Sequence, residues 1–186
     1  MRSSTNKPFV VVSGLPGSGK STLAKQVAPL LNLPVIDKDD ILERLFEAKG
    51  TGDAAWRRSL SRESDQLFQA KAFNAEGAIL VSFWHLPGMA ADSGTPTEWL
   101  WKLSNRLINV ACACAPEIAA ERLFQRTRHP GHLDRAASKE EVLASIQSIS
   151  YLCPLEIGRR IEVDTSGGQP ELDAIAKKIL KALDDA

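Results

Sequence analysis

The sequence predicts an α/β fold in which helices cover both faces of a five-stranded parallel sheet. Five short segments are apolar throughout, and segments with helical periodicity separate them. Strands that lack polar alternation are buried on both faces, and parallel strands need a crossover, usually a helix, between them. A chain of 186 residues without repeats or a linker has the size of one domain, so we expect residues 1–186 to fold together.

The strands are predicted from apolar runs that end at glycine or polar residues. The first run stops at Gly14, and the last is followed by a Thr-Ser-Gly turn. In such sheets, ligands bind at the carboxyl ends of the strands, so the residues that follow each run are the candidates for a site. The five runs are Pro8–Ser13, Pro34–Asp37, Ala78–Trp84, Leu107–Cys114 and Ile161–Asp164.

The helices are predicted from caps and apolar stripes. Asp39 or Asp40 caps a helix that closes near Gly50, and Asp53 caps a long helix that Gly77 ends. Pro116 starts another helix at its favoured first position, and Ser138 with Glu141 forms a capping box. The stripes are Leu23, Val27 and Leu30 in the helix from Lys20 to Leu31; Ile41, Leu42, Leu45 and Phe46; Trp56, Leu60, Leu67 and Phe68; Val142, Ile146 and Ile149; and Leu172, Ile175, Ile179 and Leu183.

Composition narrows the class of partner and the compartment. Basic and acidic residues balance at 23 each, whereas nucleic-acid binding proteins usually carry a basic excess. No targeting segment and no apolar run of membrane-spanning length is visible. Cys112, Cys114 and Cys153 lie in or beside apolar runs without zinc-type spacing. We therefore expect a cytoplasmic protein without a membrane or nucleic acid as its main partner.

A phosphate-binding loop follows the first predicted strand. Residues 14–21, Gly-Leu-Pro-Gly-Ser-Gly-Lys-Ser, match GxxxxGK[ST], with a strand before and a helix after. Glycines let backbone N–H groups point at phosphate oxygens, Lys20 reaches the terminal phosphates, and the Ser21 hydroxyl ligates Mg²⁺. The residues predicted to bind ATP here are Gly14, Pro16, Gly17, Ser18, Gly19, Lys20, Ser21 and Thr22.

Other motifs indicate which class of phosphate-loop protein this is. GTPases read guanine with a late N/T-K-x-D motif, but the only Asn-Lys pair, Asn6-Lys7, precedes the first strand. Motor and transport ATPases generally place an acid at the end of a central strand. The runs that end at Trp84 and Cys114 carry none, and the first acids at a strand tip are Asp37 and Asp39.

The segment Asp37-Lys-Asp39-Asp40 resembles the P-loop small-molecule kinases, a group that includes chloramphenicol phosphotransferase-like, gluconate kinase-like, shikimate kinase-like and zeta-toxin-like proteins. The resemblance implies a P-loop NTPase fold and ATP with Mg²⁺ as cofactors. It also implies that Asp39 contacts the acceptor hydroxyl as base and that Asp37 helps hold Mg²⁺ or contacts substrate. Asp37 and Asp40 remain alternatives for the base. Polynucleotide 5′-hydroxyl kinases share the Asp pair but typically have Arg three residues after its first member, where this chain has Leu42.

An arginine-rich segment resembles the small lid of the same kinases, over approximately residues 126–138. Arg122 and Arg126 are spaced to share a helix face, and Arg128 precedes His129-Pro-Gly-His132. The resemblance implies that Arg126 stabilises the transferring phosphoryl group and that Arg122 and Arg128 bind nucleotide. The two histidines either contact substrate or shape the loop. The Asp-Thr165-Ser turn resembles the family's loop beside the adenine.

The acceptor pocket is expected beyond the third strand, where Trp84 and His85 are candidates for its walls. Trp56, Trp99 and Trp101 are further candidates, although tryptophan at helical spacing is more often core. An antibiotic, a sugar acid, a nucleoside and a cofactor precursor all remain possible acceptors. The sequence therefore predicts an ATP-dependent phosphotransferase acting on a hydroxyl of a small molecule. The rival is a binding module that uses ATP to switch a partner.

Overall fold

The computed structural model, which describes residues 6–133, 138–152, 154–168 and 170–185, contains one sheet of five parallel strands. The spatial order places the first strand at the centre, between the third and the fourth, which confirms the predicted parallel sheet. Cys153 and residues 134–137 of the predicted lid lie outside the described residues. The strands are β1 (Phe9–Gly14), β2 (Val35–Asp37), β3 (Ala78–Val81), β4 (Leu107–Ala113) and β5 (Arg159–Asp164), in the order β2-β3-β1-β4-β5.

Helices connect the strands, as the sequence predicts. Asp53 caps the long third helix by accepting a hydrogen bond from the Trp56 amide, and Ser138 with Glu141 forms the predicted capping box. Within the described residues, no helix is long and apolar enough to cross a membrane. The helices are α1 (Lys20–Leu31), α2 (Lys38–Lys49), α3 (Ala54–Asn74), α4 (Leu100–Leu103), α5 (Pro116–Gln125), α6 (Lys139–Ser150) and α7 (Leu172–Asp184), with a 3₁₀ turn at Pro130–His132.

The sheet has an apolar core on each face because its central strands alternate between two helical layers. Val10 and Val12 of β1 pack against α1 and α7, whereas Phe9 and Val11 pack against α3 and α4. All four side chains are essentially inaccessible to solvent. This two-sided burial explains why the strands read as continuous apolar runs.

Two expectations about local structure are wrong. The cap of α2 is Asp37, whose side chain accepts the Asp39 backbone N–H, so neither Asp39 nor Asp40 caps it. The helix begins at Lys38, two residues earlier than a cap at Asp39 would place it, and this leaves the Asp39 carboxylate free of any capping role. In α1, Leu31 is buried and Leu30 is exposed, because Leu31 lies about two turns beyond the buried Ala24 on the same face.

The apolar stripe of α3 is narrower than the sequence suggests. Leu60 and Phe68 are buried, but Trp56 and Leu67 are 39% and 45% exposed. Phe68 contacts the rings of Trp84 and Trp99 at centroid distances of 5.8 Å and 6.0 Å. The buried face of α3 therefore holds the segment after β3 against the sheet.

Phe68→Ala should destabilise the fold by about 3–5 kcal/mol, because it removes a fully buried ring and leaves a cavity among aromatic neighbours. Leu67→Ala is the matched control, one residue away on the exposed side of α3, and should stay within about 0.5 kcal/mol. Urea unfolding followed by circular dichroism measures both. Equal losses in the two variants would contradict this assignment of the helix face.

Candidate active site

The phosphate loop joins the end of the central strand β1 to the first turn of α1. Gly17 has a φ of 80°, and a Cβ there would lie 2.0 Å from the Ala119 backbone oxygen, so only glycine fits. Gly19, at the start of α1, has a φ of 89° and leaves open space where a side chain would stand. No side chain caps the first turn of α1, so its N–H groups face an open cradle that suits phosphate oxygens.

Ser18 is buried beneath this cradle. Its backbone N–H donates to the Leu15 carbonyl at 3.1 Å, and its side chain is fully buried in the loop. Within the described residues, its hydroxyl has no hydrogen-bond partner. The sequence predicts Ser18 as a nucleotide ligand, and the structure gives it a place in the turn that shapes the loop.

Lys20 folds back over the loop. Its Nζ donates to the carbonyl oxygens of Gly14 at 2.9 Å and Leu15 at 2.8 Å. Burial lowers the pKa of Lys20 to about 8, against which the nearby carboxylates of Asp39 and Asp37 act. Two neutral acceptors only partly replace the lost water, so an anionic phosphate would stabilise the ammonium form much better.

Ser21 and Asp37 meet as the predicted metal pair. The Ser21 hydroxyl donates to Asp37 Oδ2 at 2.6 Å, and burial raises the pKa of Asp37, although the hydrogen bond from Ser21 opposes this rise. Hydroxyl and carboxylate oxygens suit Mg²⁺, which also prefers to keep water and phosphate ligands. Among the described residues, no group of three or more His, Cys, Asp or Glu is placed to hold a metal ion. These residues therefore fit a cation that is shared with phosphates.

The structure separates the three acids that the sequence leaves as candidate bases. Asp37 is buried at the phosphate loop, Asp40 is exposed, and Asp39 lines a cavity of about 470 Å³. Asp39 Oδ2 accepts a hydrogen bond from Arg128 Nη2 at 2.6 Å. Asp39 is therefore the acid that is best placed to meet an acceptor molecule.

The arginines of the predicted lid take three different positions. Helix α5 ends at Gln125 and Arg126 is already extended, so the expectation that Arg122 and Arg126 share a helix face is wrong. Arg122 donates to the backbone oxygens of Thr165 at 2.7 Å and Ser166 at 3.0 Å, so it ties α5 to the turn after β5. Arg126 and Arg128 line a second cavity, of about 500 Å³, that reaches Pro16 of the phosphate loop.

The loop from His129 to His132 rests on α2. The His129 ring stacks on Phe46 at 5.2 Å, and His132 Nε2 lies 3.0 Å from Glu43 Oε1. A Cβ on Gly131 would lie 2.6 Å from the Phe46 ring. In this arrangement both histidines hold the loop against α2, and the loop places Arg128 beside Asp39.

Trp84 and His85, which the sequence suggests as walls of the acceptor pocket, do not line the cavity beside Asp39. Trp84 is 2% exposed, and its Nε1 donates to the Val12 carbonyl at 2.9 Å. Its ring is part of the core and reaches only a smaller cavity, of about 300 Å³, beside Cys112. His85 Nδ1 lies 2.7 Å from the Ser93 backbone oxygen, which fixes the loop after β3. Of the other tryptophans, Trp99 is buried, while Trp56 and Trp101 are exposed.

The residues that do line the cavity beside Asp39 come mainly from α2 and α3, and the sequence analysis missed them. The available signal was the helical spacing of Arg58, Arg62 and Asp65, which places them together beside the apolar face of α3. The charged lining residues, besides Asp39, are Lys38, Arg57, Arg58, Arg62, Asp65 and Asp92.

Comparison with known proteins agrees with this architecture. A family model described as an AAA domain matches residues 9–149, which contain the phosphate loop, the acids and the arginine segment. The chain belongs to the AAA domain family. The five-stranded sheet and phosphate loop of this AAA domain form a P-loop NTPase fold.

The curated relatives match only part of this AAA domain. A shikimate kinase of Corynebacterium glutamicum is 34% identical over 73 residues, which cover 39% of this chain and 43% of that protein. A shikimate kinase of Corynebacterium jeikeium is 51% identical over 78 residues, 39% of this chain and 40% of that protein. The chain thus spans less than half the length of these relatives.

Solved structures match nearly the whole AAA domain in fold. A protein from Chloroflexus aurantiacus that is provisionally named a kinase has a TM-score of 0.80 at 24% identity, covering 96% of this chain and 99% of that one. A shikimate kinase from Bacteroides thetaiotaomicron has a TM-score of 0.58 at 17% identity, covering 95% and 98%. A gluconokinase from Sinorhizobium meliloti has a TM-score of 0.56 at 17% identity, covering 97% and 94%.

Binding of ATP to this AAA domain should take up a proton at Lys20 in mildly alkaline solution. The pKa of Lys20 is about 8 without phosphate, and the anionic phosphates should raise it, so a fraction of a proton is taken up per ATP at pH 8.5. ATP affinity should correspondingly fall as the pH rises above about 8. Calorimetry in buffers of different ionisation enthalpy measures the uptake. Lys25→Met, an exposed change on α1, should retain it, and buffer-independent heats in the unmodified protein would overturn the assignment.

Gly131→Ala should release the loop from α2, because the added Cβ would overlap the Phe46 ring. Trypsin should then cleave after Arg126 and Arg128 several times faster. Gly167→Ala is the matched control, since a Cβ there meets nothing within 4 Å. Unchanged cleavage in Gly131→Ala, at an unchanged melting temperature, would show that the contact with Phe46 does not hold the loop.

Proposed function

We propose that this protein is an ATP-dependent phosphotransferase that moves the γ-phosphate of ATP to a hydroxyl group of a small molecule. One observation carries the proposal: Asp39 lines a cavity large enough for a small molecule and lies close enough to Lys20 of the phosphate loop to influence its pKa. A carboxylate between a phosphate cradle and a cavity is the arrangement that in-line transfer requires.

Each residue of the site has a part in this reaction. The acceptor oxygen forms a bond to the γ-phosphorus, the bond from that phosphorus to the β,γ-bridging oxygen breaks, and Asp39 takes the hydroxyl proton. Lys20 and the first turn of α1 hold the phosphates. Mg²⁺, held through Ser21 and Asp37, would neutralise phosphate charge. Because burial already raises the pKa of Asp37, a cation beside it would also stabilise its ionised form.

The lid arginines complete the site. Arg128 occupies the Asp39 carboxylate in the structure, so an acceptor hydroxyl must share or displace that hydrogen bond. When an acceptor displaces Arg128 from Asp39, its guanidinium would turn toward the phosphates, beside Arg126 and Pro16. Positive charge there would stabilise the transferring phosphoryl group. Arg122 and Thr165, joined at the end of the sheet, provide the nucleotide side of the site.

The comparisons support this proposal at the level of reaction type. The relatives named shikimate kinase and the solved gluconokinase are named for small hydroxyl compounds. A cavity of about 470 Å³ also suits a small molecule better than the end of a polymer. A module that only switches on ATP would need no cavity beside its acid.

Asp39→Asn should reduce acceptor phosphorylation by about a hundredfold, near the low end of general-base effects, because phosphoryl transfer has a loose transition state. ATP affinity and thermal stability should be retained, since Asp37 caps α2 and Asn preserves the side-chain shape. ADP release is measured with a panel of hydroxyl compounds.

Asp40→Asn is the control, because Asp40 is adjacent, exposed and outside the cavity. It should keep full activity. If Asp39→Asn turns over acceptor at the normal rate per folded molecule, Asp39 is not the base. If no hydroxyl compound stimulates ADP release by the unmodified protein, the phosphotransferase proposal itself is wrong.

A further inference from the structure

We propose that the acceptor carries an apolar group, an aromatic ring or a branched alkyl chain, and that this group occupies the cavity of about 300 Å³ beside the phosphate loop. This inference rests on the proposed function, because it names the class of molecule whose hydroxyl would meet Asp39. It follows from the side chains of that cavity, from the hydrogen bonds of its walls and from its position next to the phosphate loop.

The walls of this apolar cavity come from four parts of the chain. The ends of β1 and β4 lie on one side, and the segments after β3 and after α6 lie on the other. A Cβ on Gly88 would lie 3.1 Å from Leu152 Cδ2, so the last two segments lie against each other. Besides Trp84, the apolar side chains of the walls include Leu15, Phe83, Leu86, Leu152, Pro154 and Leu155.

The buried polar groups of the walls already have hydrogen-bond partners. The Ser13 hydroxyl donates to Asn109 Oδ1 at 2.7 Å, and Asn109 Nδ2 donates to the Leu155 backbone oxygen at 2.7 Å. The indole of Trp84 donates to the Val12 carbonyl at 2.9 Å. Because these donors are engaged, the walls offer little to a polar occupant, and a polar group placed there would lose its hydrogen bonds to water.

Charge is confined to the rim of the apolar cavity. Among the described residues of its lining, Arg160 is the one charged side chain, and it is exposed and lies 2.9 Å from Glu162 Oε2. Burial raises the pKa of the Cys112 thiol to about 11, so this thiol is uncharged at neutral pH. The cavity beside Asp39, by contrast, is lined mostly by charged and polar residues.

The apolar cavity borders the place where the phosphate and the acceptor hydroxyl would meet. Phe83 lines both this cavity and the one beside Asp39. Gly14 and Leu15 also line it, and their carbonyl oxygens accept the hydrogen bonds from Lys20 Nζ. Lys20 in turn lies close enough to Asp39 for that carboxylate to influence its pKa. One molecule therefore fits the arrangement when it has a hydroxyl at one end and an apolar group at the other.

The size of the apolar cavity suits a ring. A cavity of roughly 150 Å³ with apolar walls stays dry and binds benzene, and this one measures about 300 Å³. Removing an apolar group from water would supply binding free energy that does not depend on the reacting atoms. That free energy would hold the hydroxyl in line with the γ-phosphate.

Binding of an apolar group can be tested without any turnover. The methyl resonances of Leu86 and Leu152 are followed by NMR while benzene is added, with the exposed Leu180 as the reference. Benzene should shift the two cavity residues saturably and raise the melting temperature. Ala111→Leu, which fills the cavity, should lose both effects, and Ala144→Leu, on the exposed surface of α6, should keep them. Unshifted cavity resonances, or equal effects on the two variants, overturn the apolar subsite.

Matched acceptors test the substrate class. ADP release is compared for 3-phenylpropan-1-ol against propan-1-ol and for cyclohexylmethanol against methanol. The apolar member of at least one pair should have a kcat/KM at least about tenfold higher. Leu152→Asn, which keeps the size of the side chain but makes the wall polar, should remove that advantage without changing ATP affinity. Leu67→Asn, on the exposed side of α3, should retain it.

The outcomes separate this inference from the proposed function. Equal rates for both members of each pair, insensitive to Leu152→Asn, refute the subsite and leave the phosphotransferase standing. Shifted cavity resonances without ADP release for any hydroxyl compound support an apolar site and refute the phosphotransferase.

Competition identifies the occupant of the apolar cavity. Benzene should raise the KM of whichever hydroxyl compound the protein phosphorylates, because the two share the cavity. Benzene that binds without competing would show that the cavity takes a separate effector, which refutes its assignment to the acceptor. A weaker ATP affinity in Leu152→Asn, at an unchanged melting temperature, would assign the cavity to the nucleotide instead.

Discussion

The carboxylate of Asp37 holds the two halves of the site together. One oxygen accepts the Ser21 hydroxyl from the phosphate-loop helix, and the other accepts the Asp39 backbone N–H at the start of α2. Because Asp37 also ends β2, this single group fixes the distance between the phosphate loop and the acid that lines the cavity. The price is a buried carboxylate whose pKa is raised by desolvation.

Polar groups at the site are less well satisfied than those in the core of the fold. Lys20 is a partly buried amine whose Nζ donates to two carbonyl oxygens, and Arg57 keeps a buried Nε without a hydrogen-bond partner in the described chain. Each of these costs folding free energy in the free protein. The core layers on both faces of the sheet tolerate this cost, since the apolar residues of β1 and β3 are essentially inaccessible to solvent. Strain and unsatisfied groups concentrated at one edge of a stable sheet are typical of binding sites.

Helix α2 links the acceptor side to the lid. Its first turn carries Asp39, and its third turn carries Phe46, on which the loop from His129 to His132 rests. Arg128 lies between these anchors and reaches back to Asp39. An acceptor that binds Asp39 therefore competes directly with a lid arginine. This contact supplies a physical route by which acceptor binding and lid position influence each other.

The sequence by itself determined the features that depend on neighbouring residues. The strand-loop-helix around Lys20, the apolar strands, the Asp53 cap and the Ser138–Glu141 capping box are local in the chain, and each appears as expected. The pairing of Ser21 with Asp37 was also accessible, because β1 and β2 both end at one edge of a parallel sheet.

Only the tertiary structure decided which residues face the cavity. The sequence predicts Asp39 or Asp40 as the cap of α2, but the cap is Asp37, because the start of a helix can shift by a few residues that periodicity does not resolve. Trp84 packs in the core, where its ring contacts Phe68 and Trp99. The arginines of α3 line the cavity because residues of α2 and of the segment after β3 lie around the same space. The phosphate cradle is encoded by adjacent residues. The acceptor cavity arises from segments far apart in sequence, and packing alone determines which side chains it gathers.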